Sequence, residues 1–246
     1  MASRAWRDRN LPELLLGLVA IGIALIVTGF VVADAIRDVK QSRDTIKVTG
    51  SARQPITANL VTWSLAVDAK DVRPEDATRL LRTRVKAVRD FLRAGGVPDS
   101  AIIQPPVSTE ETTIRDSGRR VPAFLLRQNF RIASEEIDKI ETVSAAVTNL
   151  LAQGVPVSAG ELEYISTRLN EARIQALTKA IQNARRRAET IVKGIGGDLG
   201  SVRSASLGVY QVTPRNSTDV SDYGINDTTS REKDVTAVVA VTFAVR

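Results

Sequence analysis

The chain has 246 residues, a formal net charge of +6, 4% aromatic residues, and neither cysteine nor histidine. Those absences exclude Ser-His and Cys-His nucleophile pairs, imidazole and thiolate metal ligands, disulfides and iron–sulfur clusters. The length allows a sizeable core, built chiefly from Val, Ile, Leu and Ala because aromatic residues are scarce.

Leu14 to Ala33 carries no charge over 20 positions, and as a helix it reaches about 30 Å, the thickness of a bilayer core. A signal-peptide apolar region is shorter, about 7–15 residues. Residues 14–35 are therefore expected to be an uncleaved signal-anchor after a short N-terminus, 1–13. Ala33-Asp34-Ala35 keeps a cleaved signal as the rival. Arg4, Arg7 and Arg9 against Asp8 precede the segment, while charges from Asp34 to Asp44 cancel. That asymmetry places the N-terminus in the cytoplasm and the remainder in the periplasm or outside the cell, on a single pass. Residues 36–44 read as a linker and 45–246 as the extracytoplasmic domain.

Ile46 to Gly50 reads as a short strand. Asn59 to Ala69 alternates with both faces partly apolar, the pattern of a central strand. Pro74 opens a helix whose stripe is Ala77, Leu80, Leu81, Val85, Val88, Phe91 and Leu92, closed by Gly95-Gly96. Two strands, Ala101–Ile114 and Val121–Ala133, flank the turn at Asp116-Ser117-Gly118. Pro105-Pro106 must bulge or interrupt the first of them, or put it at an edge. Ser134 is expected to cap a second helix carrying Ile137, Ile140, Val143, Val147, Leu150 and Leu151. A strand over Val155–Ser166 follows. The order from Asn59 to Ser166 is thus β-α-β-β-α-β, a ferredoxin-like split βαβ unit.

A long helix is expected from about Thr167 to Ile195, with Ala172, Ala176, Ala180, Ala184 and Ala188 repeating every four residues. Small side chains in a row let a helix lie close against a sheet or another helix. Gly194 to Gly200 looks like a dinucleotide loop, but such a loop follows a strand and opens a helix. Here the glycines end a helix, so they read as a cap and turn. Two last strands, Ser201–Val212 and Asp234–Val245, bracket the polar excursion Thr213–Lys233, read as a mobile or contact loop.

The long helix also carries Arg168, Arg173, Lys179, Arg185, Arg186, Arg187 and Lys193 against Glu171 and Glu189. One reading is a solvated face whose partners are acidic loops of the same fold. The other is an anion-binding face of Lys179, Arg186, Arg187 and Lys193, for anionic lipid or glycan. No aromatic residues interleave to stack bases, so nucleic acid is not an expected partner. Glu110-Glu111 and Glu135-Glu136 have no spacing that demands catalysis or a metal. No catalytic, cofactor-binding or metal-ligating set is read, and no cofactor is expected.

Three stretches resemble the SIMPL domain family of exported bacterial proteins. Ile46-Lys47-Val48-Thr49-Gly50-Ser51-Ala52 is similar to its opening strand and turn. Ala176 to Val202 is similar to its signature helix and following strand, through Asn183-Ala184-Arg185, Ala188, Gly196, Leu199-Gly200 and Val202. Val239-Ala240-Val241-Thr242-Phe243 is similar to its last strand. Pro105-Pro106 and Val192 depart from the family pattern. The resemblance implies an α+β domain, an envelope-associated and stress-linked setting, ring-like or channel-like homo-oligomers, and no agreed catalytic activity. The expectation is a membrane-anchored, self-assembling protein that is not an enzyme.

Overall fold

The structure is a computed structural model that describes residues 17–19, 21–29, 44–116 and 118–246. It is a mixed α+β fold with two antiparallel-dominated sheets. Contacts divide it into two units, one of Met1–Gly50, Ile181–Leu207 and Val239–Arg246, the other of Ser51–Ala180 and Gly208–Val238.

The second unit contains the split βαβ arrangement. Its strands are β2 (Leu60–Asp71), β3 (Ile102–Ile103), β4 (Ser108–Asp116), β5 (Arg119–Ser134), β6 (Val157–Ala159) and β7 (Glu163–Ile165). β5 pairs β2 without a register shift, from Val61 opposite Ser134 to Asp71 opposite Phe124. β3 and β4 pair with the outer side of β5, and β6 and β7 with the outer side of β2. The spatial order is that of a ferredoxin-like sheet, with β2 central as its two-sided apolar pattern requires.

Helix α1 (Pro74–Ala94) buries Ala77, Leu81, Val88 and Leu92. They join Trp63, Leu65, Val67, Phe130 and Ile132 in one core. Gly96 ends the helix at φ +76°, and Gly95 is held to hydrogen by packing, since a Cβ there would stand 2.5 Å from Val143 Cγ2.

The elements differ from the sequence reading at four places here. Pro105-Pro106 does interrupt its strand, splitting the expected Ala101–Ile114 into β3 and β4. The buried Gln128 side chain donates to the Pro105 carbonyl at 2.6 Å, satisfying a group that a sheet ladder would otherwise have used. The expected helix, opened at Ser134 and closed by Gly154, is two pieces, α2 (Ile137–Ala145) and α3 (Thr148–Ala152). Bonds spanning three residues, Val147 N to the Ser144 carbonyl and Asn149 N to the Ala146 carbonyl, tighten the chain between them. They turn Leu150 into the core and leave Leu151 52% exposed. Ser134 does not cap the helix; its hydroxyl accepts from Glu136 N at 3.1 Å, one step before the helix begins. The expected strand Val155–Ser166 is β6 and β7, separated where Gly160 N donates to the Ser64 carbonyl at 2.9 Å.

The other sheet runs β1 (Thr45–Thr57), β11 (Glu232–Val245), β9 (Gln211–Pro214), β10 (Ile225–Asn226), with β8 (Leu199–Leu207) also on β11. β1 is far longer than the expected Ile46–Gly50. Pro55, which has no N–H to donate, lies within it, as an edge strand tolerates. The final strand is β11 as read, but the other expected strand divides at Gly208 into β8 and β9, and β10 was not foreseen.

Helix α4 (Leu169–Gly194) is the alanine helix. Ala172, Ala176 and Ala180 in one unit, and Ala184, Ala188 and Val192 in the other, are each no more than 4% exposed. Gly197 N donates to the Val192 carbonyl at 3.0 Å, and Gly196 takes φ +81°, so the glycine run is a helix end.

Of the expected anchor, residues 17–19 and 21–29 are helical and the rest lies outside the described residues. Among the described residues no helix is long and apolar enough to cross a membrane. The 1–13 terminus and the 36–43 part of the linker also lie outside them.

Candidate functional site

The structure disperses the basic face of α4. Arg187 donates to the Thr49 carbonyl at 3.1 Å, which clamps the helix to β1. Lys179 donates to Gln54 Oε1 at 2.7 Å, doing the same further along. Arg185 pairs with Glu189 one turn on, at 2.9 Å. Arg173 lies 5.8 Å from the centroid of the Tyr210 ring. Of the four residues read as an anion-binding face, only Arg186 and Lys193 lack a partner among the described residues.

The polar excursion after β9 is folded back onto its own unit. Asp234 Oδ2 accepts from Asn216 N at 3.2 Å, and Gln211 donates to the Ser221 carbonyl at 2.7 Å. Thr228 O accepts from Tyr164 N at 2.7 Å. Arg231 bonds Asp138, and Glu141 accepts from the Tyr164 hydroxyl at 2.8 Å. Burial, reinforced by that carboxylate, raises the Tyr164 phenol above its usual range.

At the base of the excursion Lys233 is 2% exposed. Its Nζ donates to the Asp227 carbonyl and lies 3.5 Å from Asp227 Oδ2. Burial lowers the Lys233 pKa, opposed by the Asp227 charge. Burial would raise the Asp227 carboxyl, but bonds from Thr229 and Ser230 and the Lys233 charge hold it below the usual carboxylate range. A lysine of lowered pKa is a nucleophile candidate only where a substrate can reach it. This one is enclosed and engaged, so it reads as a structural latch.

A cleft lies on the face of the β2–β5 sheet opposite α1. β2 alternates, so Trp63 and Leu65 face the core while Ser64 and Ala66 face away. Cross-strand pairing sets Arg131 opposite Ser64, and Asn129 and Ser158 opposite Ala66. With Pro105 as part of the rim, these residues line a cleft of about 470 Å³. Two residues further along each of these strands, on the same face, Arg127 grips Asp68 through two bonds of 2.7 and 2.8 Å.

Sequence reasoning missed this cleft. The available signal was the polar alternation Arg127, Asn129, Arg131 along β5, which marks an outward face but not a concavity. Among the described residues no cluster of His, Cys, Asp and Glu could hold a metal ion.

The chain matches the family model SIMPL, "Protein of unknown function (DUF541)", over residues 46–243, and it therefore belongs to that family. No curated protein matches it. Among solved structures, the de novo designed protein Foldit4 is 13% identical over 43% of this chain and 98% of its own, with a TM-score of 0.22, a likeness that carries no argument.

Proposed function

We propose that this SIMPL-family protein is a membrane-anchored envelope component that works by self-assembly, without catalysis. The observation that carries the reading is β8. All seven residues from Ser201 to Leu207 are exposed, although the strand is paired along β11. A shift in register sets Val202 opposite Phe243, so it shares a face with Ala205 and Leu207, opposite Val241 and Val239. Val202 is 57% and Leu207 48% exposed.

Long exposed edges invite pairing, and proteins blunt them with charge and proline. The other edge of this sheet, β1, carries Lys47, Arg53 and Pro55. β8 carries Arg203 alone. An unguarded, partly apolar edge on one side of β11 and a guarded one on the other leave β8 open to pairing with a further copy.

The anchor rests on the N-terminal helical residues. Leu18, Val19, Ile21, Ile23, Leu25, Ile26 and Val27 are all more than half exposed, apolar on every side. The Thr28 hydroxyl donates to the Ala24 carbonyl at 2.7 Å, so even its polar atom is satisfied within the helix. With 14–35 in the membrane and the N-terminus inside, residues 45–246 face the periplasm or the exterior, a setting that fits the family's link to envelope stress. The alternative, anion binding by α4, keeps Arg186 and Lys193 as the cations of that face without a partner among the described residues.

Light scattering of the detergent-purified 246-residue chain at micromolar concentration tests this. The expected result is an oligomer that Val202→Lys with Leu207→Lys converts to smaller species. Both positions are exposed, so the pair leaves the fold intact. A strictly monomeric wild-type protein overturns the proposal.

A further inference from the structure

The cleft beyond α1 has an unbalanced hydrogen-bonding inventory. Its backbone acceptors are already used from within the protein. The Pro105 carbonyl takes the Gln128 amide at 2.6 Å, and the Asn129 carbonyl takes the same amide at 2.9 Å. The Ser64 carbonyl takes Gly160 N at 2.9 Å, and the Gly160 carbonyl takes the Trp63 indole at 3.1 Å.

Its side-chain donors are not used. Arg131, Asn129, Ser64 and Ser158 line the cleft, and none has a protein partner among the described residues. Among the described residues no carboxylate lines it. Elsewhere on the same sheet an arginine does find one: Arg127 is held by Asp68. The cleft thus presents a guanidinium with five N–H donors, one amide and two hydroxyls, around a floor kept low by Ala66 and Ser64.

We infer that this cleft binds a small hydroxylated carboxylate, of the size and chemistry of an acidic monosaccharide. A single guanidinium matches a single negative charge, and its planar fork fits a carboxylate through two parallel bonds. The amide and hydroxyls can both donate and accept, which is what neighbouring sugar hydroxyls require. The volume of about 470 Å³ lies within the range of small-molecule sites. This site is independent of the β8 edge and shares no residue with the helix face of Lys179, Arg186, Arg187 and Lys193.

Ligand-observed saturation-transfer NMR on the 246-residue chain, titrating sodium D-glucuronate and separately D-glucose, tests the site. Glucuronate is expected to bind saturably near the millimolar range, and glucose at least about tenfold more weakly. Arg131→Gln is expected to weaken glucuronate about ten- to a hundredfold, the worth of a charge-assisted pair. Asn129→Ala is expected to weaken both sugars. Arg82→Gln, an exposed arginine on α1, is expected to change neither. All three side chains are exposed, so the variants fold. No saturable glucuronate signal, or equal affinity in Arg131→Gln and wild type, overturns the assignment, as does glucose binding as tightly as glucuronate.

Discussion

Lys233→Met removes the cation of the latch while nearly preserving its volume. In the native protein the side chain is 2% exposed, and it serves two acceptors, the Asp227 carbonyl and, at 3.5 Å, Asp227 Oδ2. The Asp227 side chain is 8% exposed. The variant therefore leaves a buried carboxylate supported only by its local hydrogen bonds, among them Thr229 at 2.8 and 2.9 Å. Stranding one member of a buried pair costs about 3–5 kcal/mol. Urea unfolding of the 246-residue chain at neutral pH is expected to show a loss of that size. Lys233→Met combined with Asp227→Asn is expected to recover most of it, because replacing both charges removes the unpaired one. pH adds a second readout. Burial sets the native Lys233 pKa below 10.5, so between the two values the unfolded chain binds the extra proton. The wild type should gain stability from this group as pH rises through that window, and Lys233→Met should not. A single variant within about 1 kcal/mol of wild type would refute the reasoning, since an inert lysine would then not be holding the excursion down.

Two further outcomes follow from the packing. The two bonds from Arg127, opposed by partial burial, hold Asp68 below its ordinary 3.8. That stability is present above the unfolded value and lost as pH falls through the folded one. Asp68→Asn should flatten the acid limb of a thermal-unfolding series below about pH 4. Because the side chains are 48% and 35% exposed, the loss at neutral pH should not exceed about 1 kcal/mol. Ala184→Leu introduces bulk at a residue with no exposed surface. It is expected to cost about 1–3 kcal/mol in chemical denaturation, whereas Ala152→Leu, on an exposed position, should cost little.

Periodicity made the elements legible where one face was buried along its whole length. The α1 stripe, the alternation of β2 and β11, and the four-residue alanine repeat of α4 all describe faces that burial selects residue by residue. The order of elements from Asn59 to Ser166 carried the ferredoxin-like topology too, since one hairpin flanked by two helical crossovers leaves few alternatives. The family resemblance, carried by the α4 segment and the two terminal strands, was equally legible.

What periodicity does not encode is where a ladder stops. The breaks at Pro105, Gly160 and Gly208 depend on which donor meets a carbonyl across the sheet, and those donors lie far away in sequence, as Gln128 and Trp63 do. Charge suffers the same way. Seven basic residues on one helix read as a surface, but β1 takes up two of them through Thr49 and Gln54. Arg131 looked like any outward strand residue, and the cleft around it exists only because β2, β5, β6 and the Pro105 crossing meet there. Which faces are buried is written in the residues along them, because the hydrophobic effect acts on each side chain locally. Which outward polar side chains are left without a partner is settled only by how the elements pack, because the bonds that use the others up, such as Arg187 to Thr49 and Lys179 to Gln54, run between elements distant in the chain.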